Sequence, residues 1–130
     1  METPMNNGIE QFTSKPFLNL ETFRKNGQGM KTPVWFAQDG ETIYVRTVAN
    51  SGKVKRVRNN GSIRIVPCEA NGNPTGEWAQ AQAVEVTDQE TADLVARLLG
   101  EKYGVVQVKA FAAATALRGE KYTVLKIDLQ

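Results

Sequence analysis

The sequence contains no histidine and only one cysteine, Cys68, among its 130 residues. Without an imidazole, the usual serine and cysteine catalytic triads and the common zinc and haem sites become improbable. Cys68 cannot form a disulfide within the chain, which agrees with a reducing cytoplasm. Its apolar neighbours predict a buried, unreactive thiol. A hydrolase is therefore disfavoured.

Long apolar runs are also missing. No stretch approaches the roughly 20 apolar residues that a membrane-spanning helix needs. The first eleven residues are polar and lack the basic and apolar regions of a signal peptide. Because the hydrophobic content of 41% is ordinary for a globular protein, we expect one soluble cytoplasmic domain over residues 1–130, without a membrane partner.

Acidic residues are absent between Glu41 and Glu69. The interval nevertheless holds six of the sixteen lysines and arginines: Arg46, Lys53, Lys55, Arg56, Arg58 and Arg64. Because 14 acidic residues leave the whole chain with a net charge of only +2, this positive charge is local. The stretch indicates a localised anion, although a solvated basic surface explains it equally well by itself.

The residues after Asn50 predict a short helix whose start binds phosphate. Ser51 is a suitable N-cap, and Val54 and Val57 form one apolar stripe. Lys53 would lie in the first turn, where the helix dipole repels a cation by about 0.3–1 kcal/mol unless an anion is bound there. Gly52 allows a ligand to approach the backbone closely. These residues are therefore candidate phosphate ligands.

Alternating apolar residues predict a mainly β fold with flanking helices. Six strands are expected, at residues 17–24, 32–37, 42–48, 62–68, 78–86 and 122–129. Turn signals such as Asp39-Gly40 separate them at nearly regular intervals, which suits a small barrel. The last strand is expected to close this barrel.

Two further helices are predicted between the last two strands. The first begins with the capping-box sequence of residues 87–90 and ends near Gly104. Its buried stripe is expected to consist of Ala92, Val95, Leu98 and Leu99. The second, over residues 105–117, is rich in alanine and is expected to pack closely against its neighbours.

Six short segments together carry a family resemblance. They are Thr-Pro-Val-Trp-Phe at 32–36, Ile-Tyr-Val-Arg-Thr at 43–47, Ser-Gly-Lys-Val-Lys-Arg at 51–56, Val-Pro-Cys at 66–68, Gly-Glu-Trp at 76–78 and Lys-Tyr-Gly at 102–104. They resemble the pyridoxamine 5'-phosphate oxidase-like split-barrel family, and more narrowly its deazaflavin branch, whose oxidoreductases use coenzyme F420. The resemblance implies a six-stranded split β-barrel that forms a homodimer, with two symmetric cofactor sites at the subunit interface.

The resemblance also implies which residues surround the cofactor. The strand with Thr32 would place backbone near Val34 against the flavin-like ring, and Trp78 would approach across the interface. The phosphate end would be lined by Thr47, Ser51, Gly52 and Lys53, with Lys55 and Arg56 beside it.

Two departures from the family pattern restrict the expected chemistry. The chain lacks the C-terminal arginine and proline segment with which the true vitamin oxidases bind the vitamin phosphate. It also lacks the histidine on which the haem-degrading relatives depend. Oxidation of the vitamin and degradation of haem are therefore not expected.

The favoured function is hydride transfer between a flavin or deazaflavin and a small organic substrate, with no catalytic residue identified. Coenzyme F420 is preferred over FMN, because its acidic tail would explain the surplus charge of Lys55, Arg56 and Arg58. One alternative is a protein that binds or carries the cofactor without catalysis. Another is a nucleic-acid-binding barrel in which Trp35 and Tyr44 stack on bases, which the low net charge disfavours.

Overall fold

The structure is a computed structural model that describes residues 8–130. The elements in chain order are a 3-10 turn (Ile9–Phe12), β1 (Phe17–Phe23), β2 (Gly29–Val34), β3 (Ala37–Asp39), β4 (Thr42–Val48), α1 (Gly52–Asn59), β5 (Ser62–Cys68), β6 (Ala79–Val86), α2 (Gln89–Tyr103), α3 (Val105–Leu117) and β7 (Tyr122–Leu129).

The strands form one antiparallel sheet in the order β2-β1-β5-β6-β7-β4-β3. Only Trp35 and Phe36 separate β2 from β3, yet these two strands form opposite edges of the sheet. Laid flat, seven strands would put the edges about 29 Å apart, whereas the connection from Val34 to Ala37 reaches at most about 11 Å. The sheet must therefore curl into a barrel, as the resemblance implied.

The prediction of six strands differs from the seven in the described sheet. The strand expected at residues 32–37 begins earlier, at Gly29, and is interrupted at Trp35 and Phe36. These two residues cross from one edge to the other, and their side chains enter different cores. Phe36 packs inside the barrel, whereas Trp35 packs outside it against the helices. Trp35 and Phe36, called the crossing below, therefore cannot continue the hydrogen-bonded pairing of β2 or of β3.

Two hydrophobic cores hold the sheet and the helices together. Inside the barrel lie alternate strand residues such as Leu20, Val45 and Ile127, and α1 covers this core with Val54 and Val57, as predicted. The second core lies on the outer face of β4 and β7, under α2 and α3. Its fully or nearly buried members are Ala37, Tyr44, Val95, Leu99, Val108 and Val124. Successive side chains of β4 therefore pack alternately into the two cores.

Helix α2 begins one residue later than the capping-box prediction. Its N-cap is Asp88, whose carboxylate accepts a hydrogen bond from the backbone N–H of Thr91 at 2.9 Å. The expected pairing of residues 87 and 90 is therefore wrong, because the aspartate provides the stronger acceptor. In the predicted stripe, Val95 and Leu99 are buried, whereas Ala92 and Leu98 are half-buried.

Helix α3 does not pack closely against its neighbours, contrary to the prediction. Only Val108 and Thr115 are buried, while Val106 is 84% and Leu117 89% exposed. Apolar residues occupy all sides of this helix rather than one stripe, so α2 and the sheet can cover only part of it. Among residues 8–130, no helix combines the length and the apolar character needed to cross a membrane.

Candidate cofactor site

Thr47 and Lys53 meet where β4 leads into α1. Thr47 is the last inward-facing residue of β4 and is 8% exposed, and the Nζ of Lys53 donates a hydrogen bond to its Oγ1 at 3.3 Å. In the described part of the chain, no carboxylate lies within salt-bridge distance of Lys53. Burial lowers the pKa of Lys53, and the nearby charge of Arg56 lowers it further. An anion at this point would relieve both effects.

Ser51 occupies the N-cap of α1, as predicted, but its side chain does not cap the helix. The expected hydrogen bond to the first turn is absent, and its Oγ is buried without any partner among residues 8–130. A buried polar group without a partner costs about 1–3 kcal/mol. The first N–H groups of a helix also have no partner within the helix. A phosphate oxygen would satisfy both, so the residues present fit a phosphate group.

The guanidinium of Arg56 extends toward the start of its own helix. Its Nε donates to the Oγ1 of Thr22 on β1 at 2.7 Å, and Thr22 is fully buried. A Cβ at Gly52 would lie only 2.8 Å from a terminal nitrogen of Arg56. The absence of a side chain at Gly52 therefore makes room for this guanidinium. Within residues 8–130 Arg56 has no carboxylate partner either.

The remaining cations of the acid-free stretch divide into paired and unpaired groups. Arg58 forms two hydrogen bonds to Glu85 on β6, at 2.7 and 3.0 Å, which lower the pKa of that carboxyl. Arg64 donates to Glu21 on β1 at 2.7 Å. Lys55 is exposed and has no carboxylate within salt-bridge distance in the described chain. The charge of Arg58 is thus already compensated, contrary to its expected role toward a cofactor tail.

Trp78 precedes β6 rather than lying in it and is not joined to the phosphate-binding residues. Its ring contacts Arg64 and Lys31, whose charged groups lie 4.8 and 5.3 Å from the ring centroid. Lys31 and Arg64 flank Glu21 on the neighbouring strands. Trp78 therefore lies over the outer face of the sheet, and its predicted approach to a cofactor would involve the site of a second chain.

Thr32 and Val34 lie on the other face of the same edge. They stand opposite Leu20 and Leu18 of β1, and side chains of directly opposed residues share a face. Both are half-buried, and Val34 packs against the barrel core. Because β2 pairs only with β1, one row of its backbone groups stays available at the sheet edge.

Two residues at the end of α2 hold the crossing next to this edge. The hydroxyl of Tyr103 accepts from the Phe36 N–H at 3.1 Å and lies 2.8 Å from the carbonyl oxygen of Pro16. The Nζ of Lys102 donates to the Phe36 carbonyl at 3.0 Å. Burial lowers the pKa of Lys102 to about 8 and raises that of Tyr103 to about 12. In the sequence, Lys102 and Tyr103 stood out only as part of a segment that carries the family resemblance.

Arg46 is a candidate site residue that the sequence identified only as one of six cations. It lies in a cleft of about 420 Å³ between α3 and the outer face of the sheet, with its guanidinium carbon 4.1 Å from the ring centroid of Tyr122. The available signal was strand alternation: Arg46 directly precedes the inward-facing Thr47, so it must face the opposite side.

Comparison with solved structures supports the fold. A FAD-binding protein from Mesorhizobium loti superimposes with a TM-score of 0.62 at 15% identity, covering 93% of this chain and 84% of its own. An F420 reductase gives 0.61 at 15%, covering 98% and 96%. HutZ, the heme storage protein of Vibrio cholerae, gives 0.66 at 17%, covering 93% and 84%. At these identities the likeness is one of fold.

The comparison of sequences is more specific. No curated protein matches this chain. The profile of the family described as pyridoxamine 5'-phosphate oxidase, however, matches residues 7–130. The curled antiparallel sheet and the family match agree with each other. The chain therefore belongs to the pyridoxamine 5'-phosphate oxidase family.

Proposed function

We propose that this protein is a homodimeric oxidoreductase that binds a flavin-type cofactor and transfers hydride to or from a small organic substrate. The observation that carries the proposal is the buried, unpartnered Oγ of Ser51 beside Lys53 and Arg56. Neither cation has a carboxylate partner among residues 8–130. The cofactor, when bound, supplies the hydride chemistry, whereas the protein supplies binding, orientation and electrostatics.

The phosphate of the cofactor would be held at the start of α1. Ser51 would donate its hydroxyl hydrogen, Lys53 would donate from an ammonium group that Thr47 already positions, and Gly52 would leave the backbone accessible. Hydrogen bonds to charged groups contribute about 1.5–3 kcal/mol each, so a few of them suffice for firm binding.

The ring of the cofactor would lie along β2. Thr32 and Val34 are on the free edge strand, and the crossing that follows is fixed by Tyr103. A rigid backbone edge suits a planar ring, because its N–H and C=O groups keep their positions when the ligand binds.

We favour coenzyme F420 over FMN as the cofactor. Lys55 is exposed and lacks a carboxylate partner in the described chain, and Arg56 lies beside the phosphate position. Both would meet the acidic tail that F420 carries and FMN lacks. An F420 reductase and a FAD-binding protein are among the proteins of similar fold, which supports a flavin-type cofactor but does not choose between F420 and FMN.

The proposal includes a second copy of the chain. Helix α3 exposes Val106 and Leu117, and a single protomer leaves them in water. A second copy would cover apolar surface of this kind and would bring its Trp78 toward the cofactor, as the resemblance implies. We treat residues 1–130 as one functional domain within each protomer.

The decisive experiment is a paired titration of the purified protein with F420 and with FMN, followed by ligand or protein fluorescence. Micromolar or tighter binding of one of them is expected, and no saturable response to either would overturn the proposal. Lys55→Gln should weaken F420 binding more than FMN binding. Lys25→Gln, which removes an exposed lysine from the β1–β2 turn, serves as the matched control.

Cofactor binding without catalysis is the second candidate. Its basis is that the contacts described for Ser51, Lys53 and Arg56 give these residues a role in holding the cofactor and none in the reaction. Re-oxidation of the bound reduced cofactor by small electrophilic substrates separates the two functions. A nucleic-acid-binding barrel is less consistent with the structure, because Arg58 and Arg64 are already paired with carboxylates.

A further inference from the structure

Arg46 is a half-buried cation that no carboxylate of the described chain neutralises. Its guanidinium lies over the ring of Tyr122, with the central carbon 4.1 Å from the ring centroid, and burial lowers its pKa. By contrast, Arg118 in the same cleft is paired with Glu120 at 2.8 Å. An arginine remains charged in proteins, so the cleft contains one uncompensated positive charge.

Aromatic side chains form the walls around this charge. Trp35 stacks in parallel on Tyr103 with centroids 4.1 Å apart, and Phe111 meets Trp35 edge to face at 5.1 Å. Tyr122 is held by the hydroxyl of Thr115, which donates to it at 2.9 Å. The rings of Trp35 and Tyr122 are therefore held in place by the fold, and they offer flat apolar surfaces next to a planar guanidinium.

The volume of about 420 Å³ lies within the range of small-molecule sites. A guanidinium pairs best with a carboxylate, because its parallel N–H groups match the two oxygens. We propose that this cleft binds a planar aromatic carboxylate, with its ring between Trp35, Phe111 and Tyr122 and its carboxylate on Arg46. The cleft would be the substrate pocket of the proposed oxidoreductase, and in that respect the inference rests on the proposed function.

The cleft adjoins the proposed phosphate site without coinciding with it. Thr47 touches both, since it lines the cleft and accepts the hydrogen bond of Lys53. Ser51, Lys53 and Arg56 do not line the cleft. Trp35, which also lines the cleft, directly follows Val34 on the strand proposed for the ring. A ligand on Arg46 would therefore lie next to both the phosphate end and the ring end of the cofactor, as hydride transfer requires.

The test is calorimetric binding of 2-naphthoate to the full-length protein, compared with the neutral isostere 2-naphthamide. We expect naphthoate to bind at least about tenfold more tightly, because only the carboxylate can pair with Arg46. Arg46→Gln should remove this preference, and Arg46→Lys should keep part of it. Arg24→Gln, which removes an exposed arginine on the β1–β2 turn, should change nothing.

Equal affinities of the two naphthyl ligands for the unaltered protein would overturn the proposal, even if Arg46→Gln failed to fold. An equal loss in Arg24→Gln would overturn it too, since the effect would then reflect overall charge. Saturating cofactor should leave naphthoate affinity unchanged within about twofold. Competition would instead assign Arg46 to the cofactor. These titrations need no cofactor binding, so failure of the proposed function is seen separately in the F420 and FMN titrations.

Discussion

Tyr103, at the end of α2, is hydrogen-bonded to the backbone of Phe36, in the middle of the crossing between β2 and β3. The hydroxyl accepts from the Phe36 N–H at 3.1 Å and lies 3.2 Å from the Phe36 carbonyl oxygen. Neither strand ladder includes Phe36, so this side chain replaces the missing ladder bonds. The hydroxyl of Tyr103 thereby connects α2 to the segment where the two edges of the sheet meet.

Tyr103→Phe should lower the free energy of unfolding by about 1–3 kcal/mol, because it leaves the backbone N–H of Phe36 without its partner, whereas the Phe36 carbonyl keeps the ammonium of Lys102. The stacking on Trp35 would remain. Urea unfolding measures the change. Tyr44→Phe is the matched control, since Tyr44 belongs to the same outer core but its hydroxyl makes no hydrogen bond within residues 8–130. Equal effects of the two changes would contradict the role of Tyr103.

Stability should depend on pH through Lys102 and Tyr103. The pKa of Lys102 is about 8 in the folded state against 10.5 ordinarily, so between these values the unfolded chain binds more protons and stability rises with pH. The pKa of Tyr103 is about 12 against 10.0, so above pH 10 the unfolded chain loses its proton first and stability falls. Solvent screens both groups in part, so the two changes in the free energy of unfolding are small.

Urea midpoints measured from pH 7 to pH 11 check these signs. Lys102→Met should flatten the rise between about pH 8 and 10, and Tyr103→Phe should flatten the fall above it. A rise that persists unchanged in Lys102→Met would assign the dependence to another group.

Ser51→Ala should separate stability from binding. Ser51 makes no capping bond, and its Oγ has no partner in the described part of the chain. Its loss should therefore leave the free energy of unfolding of the cofactor-free protein unchanged or raise it by up to about 1 kcal/mol. Affinity for the phosphate-bearing cofactor should nevertheless fall. Thermal unfolding and the fluorescence titration measure the two effects, and a stability loss without a binding loss would show an ordinary helix cap.

Lys53→Ala should weaken binding of the phosphate-bearing cofactor by at least about tenfold. The change removes a half-buried ammonium group, held by Thr47, that would contact the phosphate. The comparison is Lys55→Ala, which changes an exposed residue two positions further along α1. This change should weaken F420 binding more than FMN binding. Unchanged FMN and F420 affinity in Lys53→Ala would remove this residue from the site.

Val106→Glu combined with Leu117→Lys should convert a dimer into a monomer, as measured by light scattering during size-exclusion chromatography. Both residues are exposed in the protomer, and the new charges lie at the helix ends that the dipole favours for their sign. Folding should therefore be retained, which circular dichroism would verify. A dimer that survives both charges would place the interface away from α3.

Much of the fold was predictable because strand and helix periods are local properties. The stripe of Val54 and Val57 follows from spacing alone and is confirmed. The split of the second strand was not predictable, because it depends on how far the sheet curls. The same limit applied to α3, whose alanine content is compatible with a buried or an exposed helix.

The amino-acid order alone determined that six cations occupy a stretch without acids and that a helix begins at its centre, since composition and N-cap preference are read along the chain. Tertiary structure decided which charges remain available. Strand register brings Glu21 to Arg64, and β6 brings Glu85 to Arg58, from distant parts of the chain. Ion pairing acts through space, so only the folded barrel separates the compensated arginines from Lys53, Arg56 and Arg46.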